Sequence, residues 1–290
     1  EKIKMTDNTP QPTPEKIVNS TGKHDALYIL AENNSRYHDL EIVYSLTSLI
    51  KHCSSWLRNI HIVGCWPKCL PTNIELKLNY VKCDDPYIHS KYANIIHKIN
   101  YGIDHIEDLT EDFLICSDDQ LVTKKSEWED FRPRFIAEFK KKSPFFINKM
   151  KNSPRKWNRS LWSTLIRYYD PPKNQRPVYY YQPHIFSPFN KMIFKEMLKT
   201  VDITKDTDII IFSLYYNFAK PENPCKSFDH VFFNRDLGNW DFVFRNFVKG
   251  IPRHIAFNDK AFLQLGFRKS LDKILGVNYS IYSPTYRRPI

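Results

Sequence analysis

Glycine is scarce, at 7 in 290 residues, while aromatic side chains are plentiful, with 20 Phe, 17 Tyr and 6 Trp. That balance excludes a disordered or low-complexity chain. No apolar run approaches the roughly 18 residues of a membrane-spanning helix. The charged, proline-containing start (Thr9-Pro-Gln-Pro-Thr-Pro14) lacks a signal-peptide core. With no export signal, the 6 cysteines (53, 65, 69, 83, 116 and 225) are expected as reduced thiols in a cytoplasm. Cys65-Trp-Pro-Lys-Cys69 has no second Cys/His pair at zinc-like spacing after it. No internal repeat is visible.

Charge is present in excess, and it is local. The formal net charge is +11, and residues 132–176 hold thirteen basic side chains against two acids, Glu138 and Asp170. Everywhere else the signs balance. One concentrated basic block implies a polyanionic partner, where uniform basicity would suggest only solubility. Trp157, Trp162, Tyr168 and Tyr169 are interleaved with its cations. Cations that track phosphates beside rings that stack on bases suit a nucleic-acid groove. The candidate contacts are Lys140, Lys141, Lys142, Lys149, Lys151, Arg155, Lys156, Trp157 and Arg159. The plain alternative for Trp157 is an anchor that fastens the segment to the core.

Residues 1–22 read as a flexible leader and 23–290 as a single catalytic domain that includes the basic segment at about 132–176. Asp25 to Leu30 reads as a first strand. Leu40, Val43, Tyr44, Thr47 and Ile50 recur at helical spacing and predict a helix with one face on a sheet. Asn59 to Gly64 and Glu75 to Cys83 read as strands. Ser90 to Tyr101 reads as a helix with Ala93, Ile96, His97 and Tyr101 on one side. Pro177 to Tyr181 and Asp208 to Tyr215 are later strand candidates, and Lys191–Thr200 and Lys260–Gly266 read as helices. The order β-α-β-β-α-β implies an α/β sheet.

The organising stretch is Asp112 to Leu121. An apolar strand, Phe113 to Cys116, stops at Ser117-Asp118-Asp119. Ligands gather outside the carboxyl ends of strands in open α/β sheets. Two carboxylates there are hard oxygen ligands for Mn²⁺ or Mg²⁺, which can hold a diphosphate, and that is the chemistry of a sugar-nucleotide transferase. The alternative is that both acids merely open a turn.

Several segments together resemble a family. Asp39, Glu41 to Leu49 and Ser55 to Val63 resemble the opening of Stealth-type sugar transferases. Ser117-Asp118-Asp119 resembles that family's paired acids, Pro183-His184 with Phe189 to Lys191 its later block, and Asn258-Asp259 with Phe267 and Ser270 its last. Phage glycosyltransferases acting on modified bases in DNA look similar over the first half, and in them Asp84 to Tyr87 and Lys91 to Lys98 also have counterparts. Val43 and Thr47 stand where Stealth proteins usually carry Arg, a bidentate phosphate ligand, which weighs against a Stealth-type phosphosugar reaction.

The resemblance implies a GT-A-type fold, a central mixed sheet flanked by helices. It also implies transfer of a sugar, carried on a uridine diphosphate, to a hydroxymethylated pyrimidine in double-stranded phage DNA, in the host cytoplasm. The alternatives are a Stealth-like transferase building surface polysaccharide and a non-catalytic DNA-binding protein. The expected catalytic residues are Asp118, Asp119, His184 and Asp259, the first three as metal ligands and Asp259 as a base. Tyr28, Ala31, Glu32 and Arg36, at and beyond the first strand, are expected to form the donor pocket with Lys91, Asn94, Ser117 and Asn258. His184 as a structural residue, Lys91 and Asn94 as a solvated helix face, and Asn258 as a helix cap remain the competing readings.

Overall fold

The computed structural model describes residues 22–31, 39–70, 78–88, 90–139, 150–168, 177–181, 184–205, 209–226, 230–233 and 253–276. Apart from Gly22, the expected leader lies outside them. The chain runs β1 (His24–Leu30), α1 (Leu40–Cys53), β2 (Leu57–Gly64), β3 (Leu78–Lys82), α2 (Lys91–His105), β4 (Asp112–Cys116) and β5 (Gln120–Val122). It continues through β6 (Arg134–Phe135), β7 (Ala137–Phe139), α3 (Lys156–Ile166), β8 (Val178–Tyr180), β9 (Ser187–Asn190), α4 (Lys191–Leu198) and α5 (Ile211–Ala219). It closes with β10 (Cys225–Lys226), β11 (His230–Phe233), β12 (His254–Phe257), α6 (Asp259–Phe262) and α7 (Leu265–Leu275).

β1 is apolar on both faces because it is the middle of a five-stranded mixed sheet of order β3-β2-β1-β4-β9. Strands β1 to β4 are parallel and β9 runs antiparallel at the edge, the position that tolerates Pro188. Side chains alternate across the pleat. Ala26, Tyr28 and Leu30 therefore join Ile42, Val43, Leu46 and Leu49 of α1 on one side. Leu27 meets Ile96 and Ile99 of α2, with Phe194, Leu214 and Tyr215 of α4 and α5, on the other. Helices thus flank the sheet on both faces. A three-stranded sheet, β11-β12-β5, leaves the central one immediately after β4.

Gly64 closes β2 with φ +123°, and an added Cβ would lie 2.0 Å from the Leu30 carbonyl oxygen. Only glycine fits both constraints. Gly64→Ala is expected to lower the unfolding free energy by about 1–3 kcal/mol, readable as a shift of the urea midpoint at unchanged slope.

Three readings of the sequence are corrected. The stripe that α1 turns to the sheet is Ile42, Val43, Leu46 and Leu49. Leu40 and Ile50 pack, partly buried, against that same side as expected, but Tyr44 faces away toward Phe262 and donates its hydroxyl to Asp272, and Thr47 is partly exposed. In α2 Ala93 and Ile96 are buried as expected and Tyr101 packs partly buried against the same side, but Lys98, Ile99 and Gly102 are buried with them and His97 lies half-exposed. The strand expected up to Tyr215 is instead α5 from Ile211 on. Ser213 exchanges hydrogen bonds with the Tyr181 main chain (2.9 and 2.7 Å), and Asn217 does the same with Tyr179 (2.9 and 2.7 Å). Those positions are four apart, and one helical turn brings them to the spacing of two residues along one strand face.

Candidate functional site

From β1 the chain steps outward through β2 to β3, and α2 then carries it back to β4 on the opposite side of β1. The strand order therefore reverses between β1 and β4, where open α/β sheets have their crevice at the carboxyl ends. Tyr28 is in register with Cys116. Ala31, exposed, leaves one strand there, and Ser117-Asp118-Asp119 leaves the other as a turn. The paired acids thus open a turn, and that turn stands at the carboxyl end of β4, where the strand order reverses.

The turn is held from beneath. Tyr28, fully buried, shares a 2.9 Å hydrogen bond with Ser45, and Ser45 donates onward to the Ser117 carbonyl at 3.0 Å. A hydroxyl has one proton, so Tyr28 is the donor to Ser45. One helical turn later Ser48 accepts the Val122 N–H at 3.1 Å. On the far side the Phe257 N–H donates to the Asp119 carbonyl at 3.0 Å, as β12 pairs with β5. That pairing delivers Asn258 and Asp259, which follow β12, to the acidic turn.

Partial burial and the charge of Asp119 push the Asp118 carboxyl up to about 6, against the opposing pull of Lys91 and a Ser117 hydrogen bond. Burial also raises Asp119, with Ser117 and Lys91 opposing it and the charge of Asp259 adding to it. His184 is lowered by burial and then by Lys91, which disfavours the imidazolium. Lys91 thus acts on Asp118, Asp119 and His184, and Asp259 acts on Asp119, although these groups come from four separate segments. His184 holds φ +49°, a left-handed backbone that costs a residue with a Cβ about 1–2 kcal/mol.

The other expected contacts divide. Ser117 donates to Asp118 at 3.3 Å and belongs to the acidic turn. Tyr28 contributes the buried chain above rather than a wall of the pocket. Asn94 gives its amide to both main-chain groups of Tyr87 (2.9 and 3.0 Å), fixing the loop before α2. Asn258 caps α6 by accepting the Ala261 N–H at 3.2 Å. Among the described residues no three His, Cys, Asp or Glu side chains gather as a ready-made metal site, so His184 is not preformed as a third ligand beside Asp118 and Asp119. Glu32, Arg36, Lys140, Lys141, Lys142 and Lys149 lie outside the described residues. Lys151, Arg155 and Lys156 are exposed. Arg159 donates to the Ser153 and Pro154 carbonyls at 2.7 and 3.1 Å, and Trp157 packs edge-on against Tyr180.

The sequence reading missed Ser45, Ser48 and Lys98. Lys98, 1% exposed, donates from α2 to the Leu30 carbonyl at 2.7 Å and pairs with Asp85 at 2.5 Å, tying helix and loop to the end of β1. Small hydroxyls three apart on an apolar helix face were the available signal for the serines.

Among the described residues no helix is long and apolar enough to cross a membrane. What the fold and site define is a mixed α/β protein with a charged cluster at its strand-order reversal. No protein-family model matches the chain, and comparison with curated proteins finds no match.

Proposed function

We propose that the protein is a metal-dependent glycosyltransferase of GT-A type that moves a sugar from a nucleotide-diphosphate donor to a hydroxymethylated pyrimidine in DNA. The observation that carries this reading is the pair Asp118 and Asp119 at the reversal between β1 and β4, with Lys91 and Asp259 close enough to shift their charge. Two half-buried carboxylates that repel one another are relieved by a divalent cation, so the donor set fits Mn²⁺ or Mg²⁺. Such ions commonly take one or two protein carboxylates and complete their shell with substrate phosphates and water. When bound, the ion supplies Lewis-acid stabilisation of a departing diphosphate. Lys91, exposed at the first position of α2, serves the same negative charge. Asp259, exposed beside Asp119, accepts the proton of the acceptor hydroxyl. Ala31 and the loop pinned by Asn94 and Lys98 border the nucleoside side.

The experiment is donor hydrolysis and transfer across a panel of nucleotide sugars with Mn²⁺, with and without hydroxymethylated duplex. Transfer that depends on this DNA is the expected result. Hydrolysis indifferent to it, with transfer to a polysaccharide, would move the acceptor elsewhere. The excess charge in residues 132–176 makes a further prediction. Log affinity for duplex should fall linearly with log salt, by about 0.9 per neutralised phosphate. Lys140, Lys141 and Lys142 all changed to Gln should flatten that slope, measured by anisotropy at several salt concentrations. An unchanged slope and affinity would remove the basic block from DNA binding.

A further inference from the structure

β3 lies two strands from β1 in the order β3-β2-β1, about 10 Å at the usual spacing of paired strands. The chain that leaves β3 nevertheless returns to the end of β1. Its first step crosses β2, where the Cys83 N–H donates to the Gly64 carbonyl at 3.4 Å and the Tyr80 hydroxyl donates to the same oxygen at 3.0 Å. Two residues on, Asp85 pairs with the Lys98 ammonium at 2.5 Å. That ammonium also donates, at 2.7 Å, to the carbonyl of Leu30, the last residue of β1. Asn94 then fixes Tyr87 through both of its main-chain groups. The loop from Cys83 to Tyr87 is thus laid across the strand ends and held from α2 at two points. Helical side chains lean toward the helix N-terminus. The bond from Lys98 to β1 therefore sets the first turn of α2, which begins with Lys91 two turns earlier, at the carboxyl edge of the sheet.

Stability alone is a poor reason for this pair. The Lys98 side chain is 2% exposed and that of Asp85 18%. Withdrawing an ammonium from water is costly, and apolar side chains of similar volume often hold such a place as well or better. What the ion pair adds is one fixed position for each partner. The loop turns outward Asp84 and Pro86, both exposed and neither a cation. A wall of that character repels phosphate and suits the uncharged end of a donor, leaving the diphosphate to Lys91 and to an ion on the paired acids.

We propose that Lys98 is a positioning residue for the donor. Its ion pair with Asp85 holds the Cys83–Tyr87 loop at the carboxyl end of β1, as the wall against which the nucleoside of a nucleoside diphosphate lies. The proposal rests on the reading of the neighbouring acids as a transfer site, and it adds what keeps the nucleoside side of that site in place before any donor arrives.

Titration with UDP, CDP, GDP and ADP, each with Mn²⁺, tests it without acceptor or turnover. Lys98→Met keeps the length of the buried stem and removes the charge. It should weaken the best of these ligands about tenfold, as follows if the released loop is in place about a tenth of the time. Adding Asp85→Leu removes the carboxylate left without its cation, so the double variant should regain most of the lost melting temperature and none of the lost affinity. Asp25→Asn, at the opposite end of β1, should bind as the parent does. Affinity that returns together with the melting temperature, or that falls as far in Asp25→Asn, overturns the proposal, because Lys98 then only supports the fold. If the double variant fails to fold, as judged by circular dichroism, Asp85→Asn decides, since its amide still accepts from Lys98 without the attraction of a charge. Weaker nucleotide binding by Asp85→Asn supports the wall, and parent-like binding overturns it. Turnover separates the two ideas. A parent that transfers sugar while the double variant keeps its Kd sinks the wall alone. A parent that binds a nucleoside diphosphate, loses it with Lys98→Met and transfers nothing supports the wall and sinks the transfer reading. A parent that binds none of the nucleotides overturns both.

Discussion

Asp119→Asn is expected to cut sugar transfer by about 10² or more, since it removes charge from a ligand that must act on a growing negative charge in the transition state. The amide keeps the size of the side chain, and the turn is held through its main-chain carbonyls, Ser117 by the Ser45 hydroxyl and Asp119 by the Phe257 N–H, so the fold has no reason to change. The loss should appear in kcat with the melting temperature near the parent's. Asp118→Asn should act in the same direction. Excess chelator should reproduce the effect in the parent and leave little further to lose in the variant. Full turnover by Asp119→Asn, or by the parent in chelator, would dismiss a metal held by these acids.

The second large effect is structural. Asp25→Asn should destabilise the protein by about 3 kcal/mol, the lower end of what breaking a buried pair costs, because Arg58 keeps contact with water. Asp25 is fully buried at the start of β1. Its carboxylate accepts from Arg58 at 2.9 and 2.6 Å, from the Asn59 N–H at 3.0 Å and from the Thr110 N–H at 2.9 Å, and His61 lies 3.3 Å away. Burial by itself would raise this carboxyl, but Arg58, His61 and Thr110 outweigh it and hold it well below the usual range. A carboxyl lowered in the folded state stabilises above its unfolded pKa of about 3.9 and loses that contribution as the pH falls toward its folded value. Urea unfolding of the parent should therefore weaken from about pH 4 downward, and Asp25→Asn should lack that component. Identical acid profiles for the two proteins would show that Asp25 does not carry it.

Strands whose character comes from their own residues were legible. The apolar runs at β1, β2 and β4 and the serine-capped start of α2, where Ser90 accepts the Ala93 N–H at 3.1 Å, stand where periodicity put them. Ile209-Ile210-Ile211-Phe212 carries β-branched and aromatic residues that favour a strand, and distant partners override them: the main chain of Tyr179 and Tyr181 and the core that takes up Leu214, Tyr215 and Tyr216. The face of α1 was misread because the helix is covered twice, by the central sheet and by α6 and α7, so no polar side marks its orientation. Asp118 and Asp119 were visible because acids ending a buried strand are conspicuous. Ser45, Ser48 and Lys98 were not, since their partners lie 72, 74 and 68 positions away, and the spacing of two serines on an apolar helix face says that they are buried without saying what they hold.

The side-chain bonds from α5 to β8 have a consequence for self-association. A strand with a bare flank is a template on which another chain can add its own strand. β8 has β7 on one flank, and on the other Ser213 and Asn217 saturate the N–H and carbonyl groups of Tyr181 and Tyr179 that a foreign strand would seek. Two polar side chains on a helix thus do the work of a neighbouring strand while leaving no new edge beyond themselves. With Ser213→Ala and Asn217→Ala combined, that flank would open, and the protein would gather into concentration-dependent assemblies visible in light scattering before any loss of helix content.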